Sequence, residues 1–232
     1  GFVFSVESLT EVEKAMCVML HYDIWQNEGG FDSLEDSIRA IGDNPVLVDE
    51  IIEIMEILTD RIDFVEKEIE LPYSQPLMLH GRYTREQILA AFGFSTFEKK
   101  SSNREGVAEN KELNTELLFV DLVKSEEDFS PSTLYQDYAI SDTKFHWQSQ
   151  NAARPDRGKG LSYIQHEEID KRILLFVRER NENEFKNTMA YVFLGEVVYE
   201  DSYGAKPMSI HWVLKESMPP YFWKDSAKMA IG

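Results

Sequence analysis

The sequence is poor in cysteine and in basic side chains, and it has no long apolar run. Cys17 is the one cysteine among 232 residues, so no internal disulfide can form, and we expect a protein of the reducing cytoplasm. No stretch of eighteen apolar residues occurs, so no membrane span is predicted. The chain begins Gly1-Phe2-Val3 without a basic segment or an initiator methionine, which indicates a fragment of a larger protein without a signal peptide.

Motifs of the common enzyme classes are also missing. The sequence contains no phosphate-binding loop, dinucleotide fingerprint, nucleophile elbow or zinc-type spacing of cysteine and histidine. His146 and His166 could form a metal site with Asp142 or Glu167, but two histidines twenty residues apart are weak evidence for a metal. We therefore expect no catalytic activity in this chain by itself, no bound metal and no cofactor.

Acidic side chains outnumber basic ones by 42 to 24, which gives a formal net charge of −18. The excess is concentrated in residues 1–75, which carry eighteen acidic and four basic side chains, a net charge of −14. Residues 76–232 carry a net charge of −4. The overall charge argues against nucleic acid only for the first segment, and the second is compatible with a DNA-binding surface.

Residues 1–75 are predicted to form an acidic helical region. Ser8 with Glu11 has the spacing of a capping box, and Ser33 and Asn44 are start signals for two further helices. The third helix carries an apolar stripe that continues to Val65, with acidic residues opposite. Prolines at 72 and 76 then mark a boundary between two parts of the chain.

Residues 76–232 are predicted to form an α+β domain. Thr84 begins a short helix that ends at Gly93, and the later apolar runs are typical of strands. They cover residues 117–123, 173–177, 190–195, 197–199 and 208–214. About five strands at this spacing indicate a small β-barrel or a strongly curved sheet with flanking helices.

Residues 135–151 are the segment richest in chemistry. If residues 145–150 form a strand, Phe145, Trp147 and Ser149 share one face, and the residues between them line the other with hydrogen-bonding groups. Such groups suit base edges and phosphates, and the basic, glycine-containing loop 153–160 that follows could clamp DNA. Composition alone leaves the alternative that the aromatic rings form core and the polar groups cap a turn.

Six segments together resemble one family: residues 79–89, 137–141, 145–150, 174–179, 191–195 and 206–210. They are similar to the C-terminal domain, long catalogued as of unknown function, that follows a phospholipase D-type nuclease and a DEAD/DEAH-box helicase in many bacterial proteins. The resemblance covers roughly residues 77–223. It implies a helical connecting region at 1–75, followed by a β-rich DNA-recognition domain at 76–232.

At least one protein of this architecture is a type IV restriction enzyme that cleaves DNA containing 5-methylcytosine. Its C-terminal domain recognises the target and is similar to the SRA/PUA-like barrels that flip a modified base. The resemblance therefore implies double-stranded DNA with modified cytosine as a partner, and the helicase and nuclease domains of the same polypeptide as others. Its nuclease and ATPase motifs are absent from this chain, so neither activity is carried over.

On this reading the binding residues form two predicted sets. The base-binding set comprises Tyr138, Ser141, Asp142, Phe145, His146, Trp147, Gln148, Ser149, Gln150 and Asn151. The phosphate-binding set comprises Arg82, Lys144, Arg154, Arg157 and Lys159, with Arg85 as a further candidate. Stacking on the flipped base is expected from Trp147, Phe145, Tyr138 or Tyr135, or from a pocket elsewhere among Tyr191, Tyr199 and Trp212. Two alternatives stay open: a DNA-binding accessory module without modification specificity, and a protein-interaction module.

Overall fold

The structure, a computed structural model, describes residues 4–62, 67–122 and 137–223. The chain divides into two compact units, one formed by residues 1–78 and 84–103 and the other by residues 79–83 and 104–232. Residues 84–103 thus group with the N-terminal helices, although the sequence places them after the predicted division at 75/76. That division remains a prediction as a boundary between connecting region and recognition domain.

Capping side chains set the starts of the helices in the first unit. Helices α2 (Leu34–Gly42) and α3 (Pro45–Thr59) follow N-caps Ser33 and Asn44, as predicted. Helix α1 (Glu11–Trp25) is capped by Thr10 with Glu13, so the capping box predicted at Ser8 is wrong by two residues. Ser8 instead ends a short 3-10 turn that begins at Val6.

Helix α4 (Arg85–Ala91) has a capping box of Thr84 with Gln87 and packs on α1. Val18, Tyr22 and Ala90 form the small core between these two helices. By contrast, α3 contributes no buried residue, and most of its large apolar side chains are exposed. Val65, at the end of the predicted apolar stripe, lies outside the described residues. No helix in the described ranges is long and apolar enough to cross a membrane.

The described part of the second unit is built around an eight-stranded sheet. Its strands are β1 (Arg82–Tyr83), β2 (Val107–Asn110), β3 (Thr115–Asp121), β4 (Tyr138–Ala139), β5 (Lys144–Gln148), β6 (Arg172–Arg178), β7 (Tyr191–Tyr203) and β8 (Ser209–Leu214). They lie in the order β2-β3-β6-β7-β8-β5-β4, and β1 pairs with β7. Of the two predicted forms, the sheet takes the curved and open one, which confirms the α+β fold class.

The central strands β3 and β6 pair in parallel and are buried along almost their whole length. Their continuous apolar sequences are typical of strands that are covered on both faces. At the end of this pair Arg178 forms an ion pair with its register partner Asp121, at 2.6 Å, and its guanidinium lies 4.3 Å from the ring centre of Tyr191. These contacts fix the register where the two strands end.

Two elements differ from the prediction. The runs 190–195 and 197–199 form one strand, β7, which passes through Gly195 at a φ of 86° where the pairing with β6 shifts register. Such a bulge adds a residue and bends the strand without ending it. The predicted loop 153–160 is partly helical, because α5 (Gly158–Ile164) begins inside it. Gly160 is needed there, since a Cβ atom would collide with the carbonyl oxygen of Arg154.

Candidate nucleic-acid interface

The aromatic rings of β5 lie mainly in the core. Phe145 is fully buried and Trp147 is 4% exposed, and both belong to the main hydrophobic cluster. The ring of Trp147 meets that of Tyr163 edge-on at 5.3 Å, and Tyr163 in turn contacts Trp212. Neither Phe145 nor Trp147 therefore offers a surface on which a base could stack, and their predicted stacking role finds no support. Tyr135, another stacking candidate, lies outside the described residues.

In the alternative stacking pocket, predicted among Tyr191, Tyr199 and Trp212, two of the three rings are buried. Trp212 is fully buried and Tyr191 is covered by Arg178, so both rings are structural. Tyr199 is half-buried, and its hydroxyl group lies 2.9 Å from that of Ser202.

The other face of β5 carries a second group of rings. Tyr138 stacks on its register partner His146 at 4.6 Å with an interplanar angle of 15°, and Tyr203 and His211 lie beside them. His211 is paired with Asp201. His146 is buried, whereas Tyr203 is 58% exposed. Tyr138 and His146 are thus brought together, on the side of β5 away from Trp147.

Several polar side chains of residues 137–149 form hydrogen bonds with the backbone. The Ser149 hydroxyl accepts a hydrogen bond from the Met208 amide and donates one to the Gln150 carbonyl, so this buried side chain is saturated. The backbone amide of Gln148 donates to the Asp137 carboxylate at 2.8 Å. Ser141 contacts Thr143 at the turn before β5, and Asp142 is exposed at the same turn. These residues shape the segment and do not converge on one site.

Gln150 and Asn151 do converge with the basic residues. They line a cleft of about 590 Å³ whose other walls are Ala152, Ala153, Arg154, Arg157, Gly158, Lys159 and Lys206. We call this feature the 150–159 cleft. Of the predicted phosphate-binding residues it gathers three, and it adds Lys206 from the β7–β8 connection. None of the described residues that line it carries an aromatic ring.

Sequence reasoning missed Lys206, because it lies 47 positions beyond Lys159 and no chemical motif surrounds it. Its backbone has a φ of 61°, in the left-handed region that non-glycine residues rarely adopt. The Lys206 amide donates to the carbonyl of Ala153 at 3.0 Å, which holds the connection against the cleft.

The cations of the cleft differ in whether a carboxylate is paired with them. Arg154 forms a bidentate contact with Asp156, at 3.0 and 3.3 Å, which together with Arg157 holds the pKa of that carboxyl below its ordinary value. Neither Arg157 nor Lys206 is within ion-pair distance of a carboxylate in the described part of the chain, and both are exposed. Arg157 and Lys206 are therefore the cations most available to an anionic ligand.

Lys159 belongs instead to a charge cluster formed with Glu109, Glu116 and Lys171, in which Glu116 and Lys171 are buried and the side chains of Lys159 and Glu109 are partly exposed. Lys159 lies 2.7 Å from Glu109 and 3.0 Å from Glu116, and Lys171 lies 2.7 Å from Glu116. Glu116 is fully buried, and the Lys171 side chain is 3% exposed. Two carboxylates and two ammonium groups balance one another, as buried charges require.

This cluster predicts an acid-sensitive stability. Burial raises the pKa of Glu109, but hydrogen bonds from Lys159 and Lys171 outweigh it and bring the pKa to about 2, against an ordinary value of 4.5. Because the folded-state pKa is depressed, the stabilisation is complete above pH 4.5 and is lost as the pH falls toward 2. The free energy of unfolding, measured in urea at pH 5, 4 and 3, should fall more steeply with decreasing pH for the wild type than for Glu109→Gln. Equal slopes would contradict this role of Glu109.

The remaining basic candidates lie outside the cleft lining. Arg82 places its guanidinium over the ring of Tyr221 at 5.3 Å, and Lys144 pairs with Glu200. Arg85, the further candidate, belongs to the helical unit and bonds to Asn103. The structure therefore does not join these three residues to the phosphate-binding set at the cleft.

The hydrogen bonds of His166 bear on whether this residue is available to bind a metal ion. His166 accepts a hydrogen bond from the Tyr199 amide at Nε2, so Nδ1 carries the proton and donates to the carbonyl of Lys171. Both nitrogens thus serve the backbone, and burial lowers the pKa of this imidazole. Across the described ranges no group of three or more histidine, cysteine or carboxylate side chains is arranged to hold a metal ion.

Comparisons with known proteins give a family and two distant structures. No curated protein matches the sequence significantly. The structure of KRYPTONITE in complex with mCHG DNA and SAH aligns with a TM-score of 0.42 and 11% identity, covering 91% of this chain and 45% of that one. Arabidopsis thaliana SUVH6 in complex with SAM aligns with the same score and identity, covering 92% and 41%. This chain spans less than half of either, and likeness at this level does not establish function.

The family match is stronger. The domain described as Domain of unknown function (DUF3427) matches residues 77–225, a range that includes β5, α5 and the whole 150–159 cleft. It also agrees with the extent of the resemblance noted in the sequence, roughly residues 77–223. Since the match covers more than half of the sequence, the chain belongs to the DUF3427 family.

Proposed function

We propose that residues 77–223 recognise double-stranded DNA carrying modified cytosine, and that the chain is the C-terminal part of a cytoplasmic type IV restriction helicase–nuclease. The observation that carries the proposal is the 150–159 cleft, where amide side chains and cations line one cavity. The helicase and nuclease domains of the same polypeptide would cut the DNA that this domain selects. The chain itself would bind and not catalyse.

Electrostatics supports a DNA ligand at the cleft. With a net charge of −18, the protein as a whole repels a polyanion, so binding requires a local concentration of positive charge. Arg157 and Lys206 supply it at the cleft, and neither is neutralised by a paired carboxylate in the described ranges. Phosphates of the DNA backbone are the matching ligands.

The modified base needs a cavity, because a methyl group in the groove of a duplex offers only a small apolar contact. A volume of about 590 Å³ is within the range of small-ligand pockets, a size compatible with a flipped pyrimidine. Gln150 and Asn151 can bond to the base edge. The planar guanidinium groups of Arg154 and Arg157 can stack on a base where no aromatic ring is present.

The experiment measures binding of duplexes that differ only in one 5-methylcytosine, by fluorescence anisotropy over a range of salt concentrations. Burying the methyl group contributes about 0.8 kcal/mol, so we expect a preference of about fourfold or more for the methylated duplex. In Arg157→Ser/Lys206→Ser, affinity for both duplexes should fall roughly tenfold or more. The log–log salt slope should drop by about 0.9 for each lost phosphate contact.

The matched control is Lys111→Ser/Lys186→Ser, which removes the same charge from exposed positions outside the cleft lining. It should keep nearly wild-type affinity and slope. If the control weakens binding as much as the cleft variant does, the cleft is not the DNA site. Equal affinity of the wild type for both duplexes would favour a DNA-binding module without modification specificity.

A protein-interaction role is the second candidate, and helix α3 is the observation that favours it. This helix has no buried residue, and Ile52, Met55 and Leu58 are each about half exposed or more. Apolar surface of this kind marks sites where proteins meet. If neither duplex binds, the chain is better described as such a module.

A further inference from the structure

The hydroxyl group of Tyr163 contacts two side chains at once. Tyr163 lies in α5 and is fully buried, with its Oη 2.8 Å from Oε1 of Glu116 and 3.1 Å from Oε1 of Gln150. Glu116 belongs to the charge cluster, whereas Gln150 lines the 150–159 cleft. Tyr163 therefore connects the cluster to the cleft.

A phenol has one proton, so it donates fully to only one of these groups. Glu116 is the stronger hydrogen-bond acceptor, because it is a carboxylate and lies closer to the Tyr163 hydroxyl than Gln150 does. The other oxygen of Glu116, Oε2, already receives Lys159 and Lys171. Burial and the charge of Glu116 both raise the pKa of Tyr163 well above its ordinary value, so the phenol keeps its proton.

The hydroxyl that donates to Glu116 has lone pairs left to accept from Gln150. The two ends of a side-chain amide are nearly equal in size, so the hydrogen-bond network decides which end faces the hydroxyl. Oε1 of Gln150 lies toward Tyr163 as the amide is placed, and exchanging its two ends lets Nε2 donate to Tyr163 and turns Oε1 away from it, toward the cleft. Gln150 belongs to the base-binding set predicted from the sequence, and this network makes its free end a hydrogen-bond acceptor.

We propose that Gln150 Oε1, oriented by Tyr163, accepts a hydrogen bond from the exocyclic amino group of the bound base. The cleft would thereby select a 4-aminopyrimidine and reject a pyrimidine without that donor, since a desolvated acceptor would be left unpaired. Tyr163 acts as a positioning residue, because it works through Gln150. The inference rests on the proposed function and names the base atom that this function reads.

The test compares two duplexes, one with 5-methylcytosine and one with 5-methylpyrimidin-2-one, which lacks the 4-amino group. Both bases stand opposite guanine, and binding is measured by fluorescence anisotropy. The wild type should prefer 5-methylcytosine roughly tenfold. Gln150→Ala should lose most of this preference. Gln165→Ala, which changes a half-buried glutamine outside the cleft lining, should keep it.

The ratio of the two affinities is the informative readout, because the analogue pairs weakly and flips more easily, and this difference is the same for every variant. Tyr163→Phe releases the amide and should lower the ratio as well. It also leaves Oε1 of Glu116 without its donor, so Gln150→Ala carries the test if the phenylalanine variant unfolds.

Unchanged discrimination in Gln150→Ala overturns the inference. If the wild type still prefers methylated over unmodified cytosine in that case, the proposed function stands. A wild type with no preference for 5-methylcytosine over unmodified cytosine overturns the proposed function, and the inference falls with it.

Discussion

Replacing Glu116 with glutamine should lower the free energy of unfolding by about 3–5 kcal/mol. Glu116 is fully buried at the centre of the charge cluster, and its loss leaves Lys171, 3% exposed, with one carboxylate fewer in a desolvated site. Removing one partner of a buried ion pair is far more costly than removing the pair, because the remaining charge keeps its desolvation penalty. Urea unfolding at neutral pH measures the difference.

The matched control is Glu11→Gln. Glu11 also pairs with a lysine, at 2.8 Å, but its side chain is 85% exposed, so we expect a change of less than about 1 kcal/mol. A second variant, Glu116→Gln/Lys171→Met, removes both charges and should regain part of the lost stability. If Glu116→Gln changes stability no more than Glu11→Gln does, the cluster contributes little to the fold.

Trp147→Ala should destabilise the domain by about 3–5 kcal/mol, the range for truncating a buried aromatic side chain. Trp147 packs edge-on against Tyr163 and lies 6.3 Å from the ring of Trp212, so its loss opens a cavity in the core. Urea unfolding followed by circular dichroism gives the change in stability. In buffer where the variant is still folded, it should still bind methylated DNA more tightly than unmodified DNA.

Tyr203→Ala is the control for this variant. Tyr203 is 58% exposed on the other face of the sheet, so its truncation should change the unfolding free energy by less than about 1 kcal/mol. A folded Trp147→Ala protein that binds DNA without any preference for the methylated duplex would return Trp147 to the base-binding set.

Local signals predicted well what depends on neighbouring residues. Ser33, Asn44 and Thr84 cap the helices that they were expected to begin, because a cap is formed within three residues of sequence. At α1 two hydroxyl residues were available two positions apart, and the structure uses Thr10 with Glu13. Helix α5 was missed because Gly158 and Gly160 are typical of a loop.

The candidate site depends on contacts that no local pattern reveals. Lys159 was assigned to phosphate, but it meets Glu109 and Glu116, which are 50 and 43 residues away in sequence. Trp147 alternates correctly with its neighbours along β5, yet alternation does not tell which face of the sheet is covered. The convergence of Gln150, Asn151 and Lys206 follows from the packing of the β7–β8 connection against residue 153.

Because β8 separates β7 from β5, the order of strands in space differs from the order in which the ribosome makes them. Strands β2, β3, β6 and β7 can pair with one another as soon as β7 has emerged. Among the described strands, β5 has only the two-residue β4 as a partner until β8 is complete. The 150–159 cleft follows β5 and includes Lys206, so it forms late in translation, and a nascent chain that stops before Ser209 lacks the strand that holds β5 in the sheet.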